Sequence, residues 1–158
     1  MIPVVRALAQ TDLPAARAVI AATGLFPPDM LDGMAAASLV GGTDEFWLLA
    51  ERDQPVGLAY CAPERMTSGA WNVLLIAVHP DAQRRGVGAA LMAEVERILA
   101  QRGARIVLVE TSALPDYDGT RRFYRRLGYG EEARIRGFYA AGEDKIVFRK
   151  ALAPDART

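Results

Sequence analysis

Residues 78–100, VHPDAQRRGVGAALMAEVERILA, run from the end of an apolar strand into an amphipathic helix through a turn that contains Gly86 and Gly88. The first amides of a helix have no acceptor within the helix and carry partial positive charge. Glycine removes the Cβ that would keep an anion away from this backbone. The turn is therefore predicted to hold a phosphate or pyrophosphate, with Arg84 and Arg85 adding positive charge at its rim.

The segments on either side of the turn are predicted to form a β-α-β unit. The strands WNVLLIAV (71–78) and RIVLVET (105–111) are apolar on both faces, which is typical of strands inside a sheet. The helix between them carries its apolar residues on one stripe, at Leu91, Met92, Val95, Ile98 and Leu99. Such a unit indicates a parallel pair of strands.

The remaining segments complete a mixed sheet. The sequence predicts a strand at VVRAL (4–8), a helix capped by Thr11 and ended by Gly24, and a second helix at about 28–39. The pairs FWLLAE with PVGLAYCA and EARIRGFYA with KIVFRKAL are predicted hairpins, and a short helix ending at Gly128 precedes the second of them. We expect one α/β domain over residues 1–152, followed by a polar tail at 153–158.

The composition is that of a globular protein without a polyanionic partner. Of 158 residues, 51% are hydrophobic and 24% are charged, and the 19 basic residues equal the 19 acidic ones. A protein that binds nucleic acid or an anionic membrane surface usually has a basic surplus, so we expect neither partner. Cys61 and His79 are single in the sequence, which excludes an intrachain disulfide and metal sites built from several cysteines or histidines.

The N-terminal segment and the length of the apolar runs bear on where in the cell the protein is located. The segment MIPVVRALAQTDLP lacks the basic start and long apolar run of a signal peptide, and no apolar run approaches the ~20 residues of a membrane span. A chain with one cysteine fits a reducing compartment. We therefore expect a cytoplasmic protein.

Three phosphate-binding patterns can be set against the turn. A P-loop needs Lys followed by Ser or Thr after its last glycine, but Ala89 and Ala90 stand there. The dinucleotide pattern needs a third small residue where the chain has Leu91, and a seven-residue loop, HPDAQRR, separates the strand from the glycines. The third pattern, Q/R-x-x-G-x-G/A after a strand that ends in V-x-P, is matched in full by residues 78–80 and 83–88.

This third pattern resembles the signature of the GNAT superfamily of acyl-CoA-dependent N-acetyltransferases. The resemblance extends from VVRALAQTDLPAARAVI to KIVFRKAL, and the order of elements agrees. A second motif, FYRRLGY (123–129), is similar to the family's Y-x-x-x-G-[FY] helix end. The resemblance implies a GNAT-like α/β fold: a mixed, mostly antiparallel central sheet, with its parallel β-α-β pair splayed apart at an acetyl-CoA (CoA) site.

The resemblance assigns the cofactor mainly to backbone groups. It implies a bulge at 75–77, and the residues that would bind the pantetheine arm and thioester are Ile76, Ala77 and Val78. The residues that would bind the pyrophosphate are Gln83, Arg84, Arg85, Gly86, Val87, Gly88 and Ala89. The family often has an asparagine seven residues before its tyrosine, whereas this chain has Tyr117, so Tyr117 or Thr120 is expected to replace it. The alternative is a glycine-capped turn with solvated arginines beside an ordinary core strand.

Tyr124 matches the family's acid tyrosine. A departing thiolate is best protonated as it leaves, and a phenol with an ordinary pKa of about 10 is protonated at neutral pH. The alternative is packing in an aromatic stripe, but Phe123 and Leu127 are expected to supply that packing face. Glu110, at the end of the second apolar strand, is the candidate base, directly or through water. A solvated carboxylate, with water as the base, is the alternative.

The resemblance implies an acceptor pocket walled by the loop between the first two helices and by the last hairpin. These segments offer Phe26, Phe138 and Tyr139 as apolar walls. They also carry three carboxylates that could attract an ammonium: Asp29, Glu143 and Asp144. We expect a small or medium primary amine as acceptor, and peptides, amino acids, polyamines and aminoglycosides stay open.

The sequence is also compatible with two other functions and with one oligomeric state. A non-catalytic acyl-CoA-binding or regulatory module of the same fold would keep the glycine turn but need no acid. An unrelated nucleotide-binding protein would use the turn for a different phosphate. A homodimer is compatible with the sequence.

Overall fold

The structure, a computed structural model, describes residues 2–152. The tail predicted at 153–158 lies outside the described residues. The strands are β1 (Val4–Ala7), β2 (Phe46–Arg52), β3 (Gln54–Pro63), β4 (Ala70–Val78), β5 (Ile106–Ser112), β6 (Gly130–Ala140) and β7 (Glu143–Ala151). The helices are α1 (Leu13–Thr23), α2 (Leu31–Val40), α3 (Val87–Gln101) and α4 (Asp118–Arg126). Within residues 2–152, no helix is long and apolar enough to cross a membrane.

The seven strands form one sheet in the order β1-β2-β3-β4-β5-β7-β6. The pairs β1/β2, β2/β3, β5/β7 and β6/β7 are antiparallel, and β4/β5 is parallel. The predicted mixed, mostly antiparallel sheet with one parallel pair is therefore confirmed. The parallel register runs from Ala70↔Ile106 to Val73↔Val109, which covers the first four residues of each strand.

Residues 2–63 and 74–98 form one compact unit. Its helix α1 buries Leu13, Ala16 and Ile20, whose spacing of three and four residues places them on one face. The core cluster that they join consists of Leu8, Leu13, Ala16, Ile20, Leu31, Ala35, Trp47, Leu49, Leu58 and Ala77. Gly24 ends α1 with a φ of +68°, as its place in the sequence predicts.

Residues 64–73 and 99–152 form a second compact unit. Its core residues lie on β5, β7 and α4 and just after α4: Val107, Val109, Tyr124, Tyr129, Ile146 and Phe148. α4 ends as predicted, because Gly128 has a φ of +94° and the Tyr129 amide donates to the Tyr124 carbonyl at 3.0 Å. A single domain over residues 1–152 stays a prediction.

One predicted helix cap is wrong. α1 begins at Leu13, after a short 3-10 turn over Gln10–Asp12, and Thr11 does not cap it. The carboxylate of Asp12 instead accepts the Ala9 amide at 2.7 Å and two hydrogen bonds from the Arg6 guanidinium, at 2.7 and 2.9 Å. A doubly bonded carboxylate–guanidinium pair is stronger than a hydroxyl–amide contact, so Asp12 organises this helix start.

Candidate active site

The turn before α3 has an unusual backbone. Arg84 has a φ of +64° and Gly86 a φ of +83°, so two of three successive residues are in the left-handed region. A Cβ added to Gly86 would meet no atom within 4 Å. Glycine is therefore favoured at position 86 by the backbone conformation, and the space in front of the turn is open.

The first amides of α3 follow Gly86 directly along the chain. A hydrogen bond from the Ala90 amide to the Gly86 carbonyl at 3.0 Å closes the first turn of α3, which begins at Val87. The amides of Val87, Gly88 and Ala89 precede that bond and have no acceptor in their own helix. A pyrophosphate fits such a donor set, because it accepts several hydrogen bonds and carries negative charge.

Side chains fix the turn to its unit. The side chain of Gln83 donates through Nε2 to the Val78 carbonyl oxygen at 3.1 Å, which ties the turn to the end of β4. Val87 is buried, so only its backbone can reach a ligand. Arg84 and Arg85 are exposed, as expected for charges at a rim.

Gly57 on β3 is a positioning residue that the sequence analysis missed. A Cβ at Gly57 would lie 3.0 Å from Val87 Cγ1, 3.1 Å from Leu91 Cδ1 and 3.2 Å from the Ala77 carbonyl oxygen. The start of α3 therefore packs directly on the β3 backbone, and a side chain at position 57 would displace it. A glycine inside a strand is the sequence signal for such a close approach.

An open pocket of about 310 Å³ lies beside the turn in the same unit. Arg52 and Arg85 line it together with Asp53 and Asp81, so its charges are of both signs. His79 also lines it and accepts the Asp81 amide at 3.1 Å through Nδ1.

The three predicted pantetheine residues follow one another on β4. Ala77 is buried in the core cluster, whereas Ile76 and Val78 are half-buried. Leu74, in the middle of this strand, is 52% exposed. The backbone roles of Ile76, Ala77 and Val78 and the bulge at 75–77 stay predictions.

Tyr124 is the only residue of α4 that is fully buried among those described. Its ring lies 5.4 Å from Phe123, 6.1 Å from Tyr129 and 5.7 Å from Phe148, measured between centroids. Phe123 and Leu127 are half-buried, so they supply only part of the packing face of this helix, and Tyr124 supplies the buried part. Burial raises the pKa of the Tyr124 phenol, and the nearby Tyr139 raises it further, so the hydroxyl keeps its proton at neutral pH.

Glu110 belongs to a polar network that reaches into the core. Its two oxygens accept Asn72 Nδ2 and Lys145 Nζ, each at 3.1 Å, and Asn72 also donates to Glu64 at 2.8 Å. Asn72 and Lys145 are both buried, and the Asn72 oxygen has no hydrogen-bond partner within residues 2–152. Glu110 is therefore not a freely solvated carboxylate, because two buried donors fix its orientation.

Asn72 and Lys145 were not predicted from the sequence as residues of the site. Their partners are distant along the chain, since Glu110 is 38 residues from Asn72 and 35 from Lys145. For Asn72 the sequence offers a signal, a single polar residue inside the otherwise apolar strand β4, because a buried polar group needs a partner. For Lys145 it offers none, because β7 carries several other charged residues.

The predicted acceptor walls on the last hairpin lie on a wide bulge. β6 pairs with β7 at Ile135↔Lys145 and again at Ala140↔Glu143, so three more residues of β6 than of β7 lie between the two pairs. Phe138 and Tyr139 occupy this bulge, about half exposed, with ring centroids 5.1 Å apart in an edge-to-face arrangement.

Asp144 and Lys145 anchor the bulge. Asp144 accepts the Gly137 amide at 2.8 Å and Arg134 Nε at 2.7 Å, and these contacts lower its pKa. The Lys145 ammonium lies 3.7 Å from the centre of the Phe138 ring. The sequence predicts that Asp144 could attract an ammonium. Its carboxylate already accepts hydrogen bonds from Arg134 and Gly137.

Three further residues of the predicted site, Tyr117, Thr120 and Phe26, are exposed or half-buried. Tyr117 is 39% exposed on the turn before α4, and Thr120 is half-buried within α4. Arg121 holds the loop that carries Tyr117, because it donates to the carbonyls of Ser112 at 2.6 Å and Leu114 at 3.0 Å. Phe26 packs partly against the core cluster of its own unit.

The comparisons with known proteins identify the family of the chain. The family model described as an acetyltransferase (GNAT) domain matches residues 42–131. A solved protein from Desulfovibrio desulfuricans, assigned to the GNAT family of acetyltransferases, is 34% identical over 96% of this chain and 100% of its own, with a TM-score of 0.87. Among proteins of curated function, none matches the sequence.

Two more distant structures share the fold. The ribosomal-protein-S18-alanine N-acetyltransferase from Escherichia coli is 22% identical over 99% of both chains, with a TM-score of 0.79. An acetyltransferase structure from Salmonella typhimurium, solved with its cofactor acetyl-CoA, is 16% identical over 98% of this chain and 96% of its own, with a TM-score of 0.79. At these identities the likeness concerns the fold alone.

Proposed function

The chain belongs to the GNAT family of acetyltransferases, which use acetyl-CoA, and from this premise we propose that it transfers the acetyl group directly to a primary amine of a small or medium acceptor. The observation that carries the proposal is the turn at 83–89. Arg84 and Gly86 have left-handed backbones, the space beside Gly86 is open, and the amides of Val87, Gly88 and Ala89 follow directly. This arrangement suits the pyrophosphate of CoA.

Acetyl-CoA supplies an acyl thioester that a neutral amine can attack without a covalent enzyme intermediate. The amides of Ile76 and Val78 are proposed to hold the pantetheine arm and thioester, with Ala77 buried between them. Tyr117 and Thr120 are proposed to add contacts to the cofactor from the start of α4. These assignments rest on the positions that match the family motif.

Tyr124 is proposed as the general acid that gives its proton to the departing sulfur. Its raised pKa keeps the phenol protonated, which is the form that an acid needs before the transfer. The aromatic rings around it fix the orientation of its own ring. The proton lost by Tyr124 is restored from solvent or from the amine after each turnover.

Glu110 is proposed as the group that takes the proton from the attacking amine, directly or through a water molecule. Asn72 and Lys145 hold both of its oxygens in place. Glu110→Gln keeps the shape and removes the charge, so it should lower turnover and flatten the rise in rate from acid to neutral pH. An unaltered pH profile in this variant would assign the base to water.

A non-catalytic acyl-CoA-binding module is the second candidate function. The observation in its favour is that Tyr124 is only 4% exposed and packs among three aromatic rings, as a structural residue would. A thiol-release assay with acetyl-CoA and a panel of primary amines separates the two candidates. Binding of CoA, seen as a rise in melting temperature, without amine-dependent thiol release would favour the module.

A further inference from the structure

We propose that the acceptor is a monoamine that carries an apolar group, alkyl or aromatic, next to its amine, and not a polycation such as a polyamine or an aminoglycoside. This inference rests on the proposed acetyl transfer and names its substrate class. It is argued from the hairpin surface, which we define as Glu110, Phe138, Tyr139, Glu143 and Lys145.

The carboxylates around the hairpin surface are largely neutralised by this chain's own cations. Glu110 pairs with Lys145 at 3.1 Å, and Asp144 pairs with Arg134 at 2.7 Å. Glu143 has no ion pair with any described residue, and Arg136 on the bulge acts on the charge of Asp144. Three acids thus stand beside three bases, so the surface offers a place for one ammonium rather than for several.

The Lys145 ammonium also changes what Phe138 can bind. A cation is attracted to the electron-rich face of an aromatic ring, and Lys145 already occupies this position at 3.7 Å from the Phe138 centroid. A second cation brought to the same ring would be repelled by the first. A neutral alkyl or aromatic group suffers no such repulsion and can pack on the ring.

Two aromatic members of the hairpin surface, Phe138 and Tyr139, expose apolar area. Phe138 is 51% exposed and Tyr139 45%, and Ile135 on the same strand is 43% exposed. Apolar area of this kind gains free energy when an apolar group covers it. The bulge is held by Asp144 and Lys145 before any acceptor arrives, so little ordering is needed on binding.

The test measures kcat/KM for thiol release with saturating acetyl-CoA and four acceptors. 2-Phenylethylamine and a C-terminally amidated tetrapeptide that begins with phenylalanine represent free and peptide sources of an apolar amine. Spermidine and kanamycin represent polycations. We expect at least one apolar acceptor to exceed both polycations by about tenfold or more.

Substitution at Lys145 tests the cause. Lys145→Met leaves Glu110 without its cation and clears the Phe138 face, so the ratio of apolar to polycationic kcat/KM should fall by about tenfold. Lys145→Arg should keep the wild-type ratio. Lys150→Met is the matched control, because Lys150 lies on the same strand, 5.5 Å from the Tyr129 ring, and should leave the ratio unchanged.

Each outcome decides something separate. Equal or higher kcat/KM for a polycation overturns the acceptor class while leaving acetyl transfer intact. A folded Lys145→Met protein with the wild-type ratio overturns the role of Lys145, and if this variant does not fold, the wild-type panel and Lys145→Arg decide. Absence of amine-dependent release with every acceptor refutes the proposed acetyl transfer and this inference with it.

Discussion

The turn at 83–89 and the hairpin surface differ in how their chemistry is built. The turn uses consecutive backbone groups, and its special conformation is carried by neighbours in sequence, Arg84 and Gly86. The hairpin surface uses side chains from strands that are distant along the chain, as the bond between Glu110 and Lys145 shows. A backbone site can be specified by a short motif, whereas a side-chain site depends on strand register and packing.

The largest expected effect on the reaction rate comes from removing the hydroxyl of Tyr124, which lies in the same compact unit as the hairpin surface. Tyr124→Phe keeps the buried ring and its packing, and general acid catalysis is typically worth ~10² to 10⁴ in rate. The loss should appear in single-turnover kinetics more than in CoA affinity, because the proton transfer belongs to the transition state.

Tyr129→Phe is the matched control for this loss. It removes a hydroxyl from the same buried aromatic cluster and should retain most of the wild-type rate. Wild-type single-turnover rates in Tyr124→Phe would show that Tyr124 only packs.

The next effect tests the turn itself. A CoA concentration 100 times its Kd should stabilise the folded chain by about 2.7 kcal/mol. Gly88→Glu places bulk and negative charge at the second residue of α3, so this stabilisation should vanish while the fold is kept. Thermal melts with and without CoA measure it.

Gly33→Glu serves as the control, since Gly33 lies in the first turn of α2 and a Cβ there meets no atom within 4 Å. That protein should keep the full CoA-induced shift. A normal shift in Gly88→Glu would remove the turn from the cofactor site.

A smaller change sharpens the account of the turn. Gly57→Ala puts a methyl group 3.0 Å from Val87 Cγ1 and 3.2 Å from a backbone oxygen, so α3 must move. Overpacking of this kind costs about 1–3 kcal/mol, and we expect weaker CoA binding as well. Urea denaturation and CoA titration measure both, and Gly33→Ala should instead be neutral or stabilising. A Gly57→Ala protein as stable as the wild type would contradict the close packing of α3 on the β3 backbone.

The smallest effect concerns the anchor of the bulge. The Gly137 amide and Arg134 lower the pKa of Asp144, so its contacts are present at neutral pH and are lost only as the pH falls through that lowered value. The amide resonance of Gly137 should therefore titrate below the ordinary aspartate pKa of about 3.9. Asp144→Asn should raise the acceptor KM several-fold at pH 7 and leave the CoA-induced thermal shift unchanged. Titration of Gly137 at the ordinary value would contradict the anchor.

Much of the fold and half of the site could be predicted from the sequence. The β-α-β unit follows from two strands apolar on both faces, and Gly24 and Gly128 end their helices as expected because left-handed positions favour glycine. The turn was predictable because its residues are contiguous. The partners of Glu110 and the burial of Tyr124 were not, because they depend on which strands become neighbours and how α4 rotates. The prediction that Thr11 caps α1 was wrong because the sequence does not show that Asp12 forms two hydrogen bonds with Arg6 at this helix start.

The central claim is that this chain moves an acetyl group from acetyl-CoA to an amine. The direct test incubates the wild-type protein with acetyl-CoA and an apolar primary amine, and follows free thiol and acetylated amine in the same sample. The account predicts that the two products rise together in equal amounts, at a rate that depends on the amine. A protein that is stabilised by acetyl-CoA but releases no thiol above the amine-free rate, with every amine in the panel, would contradict it.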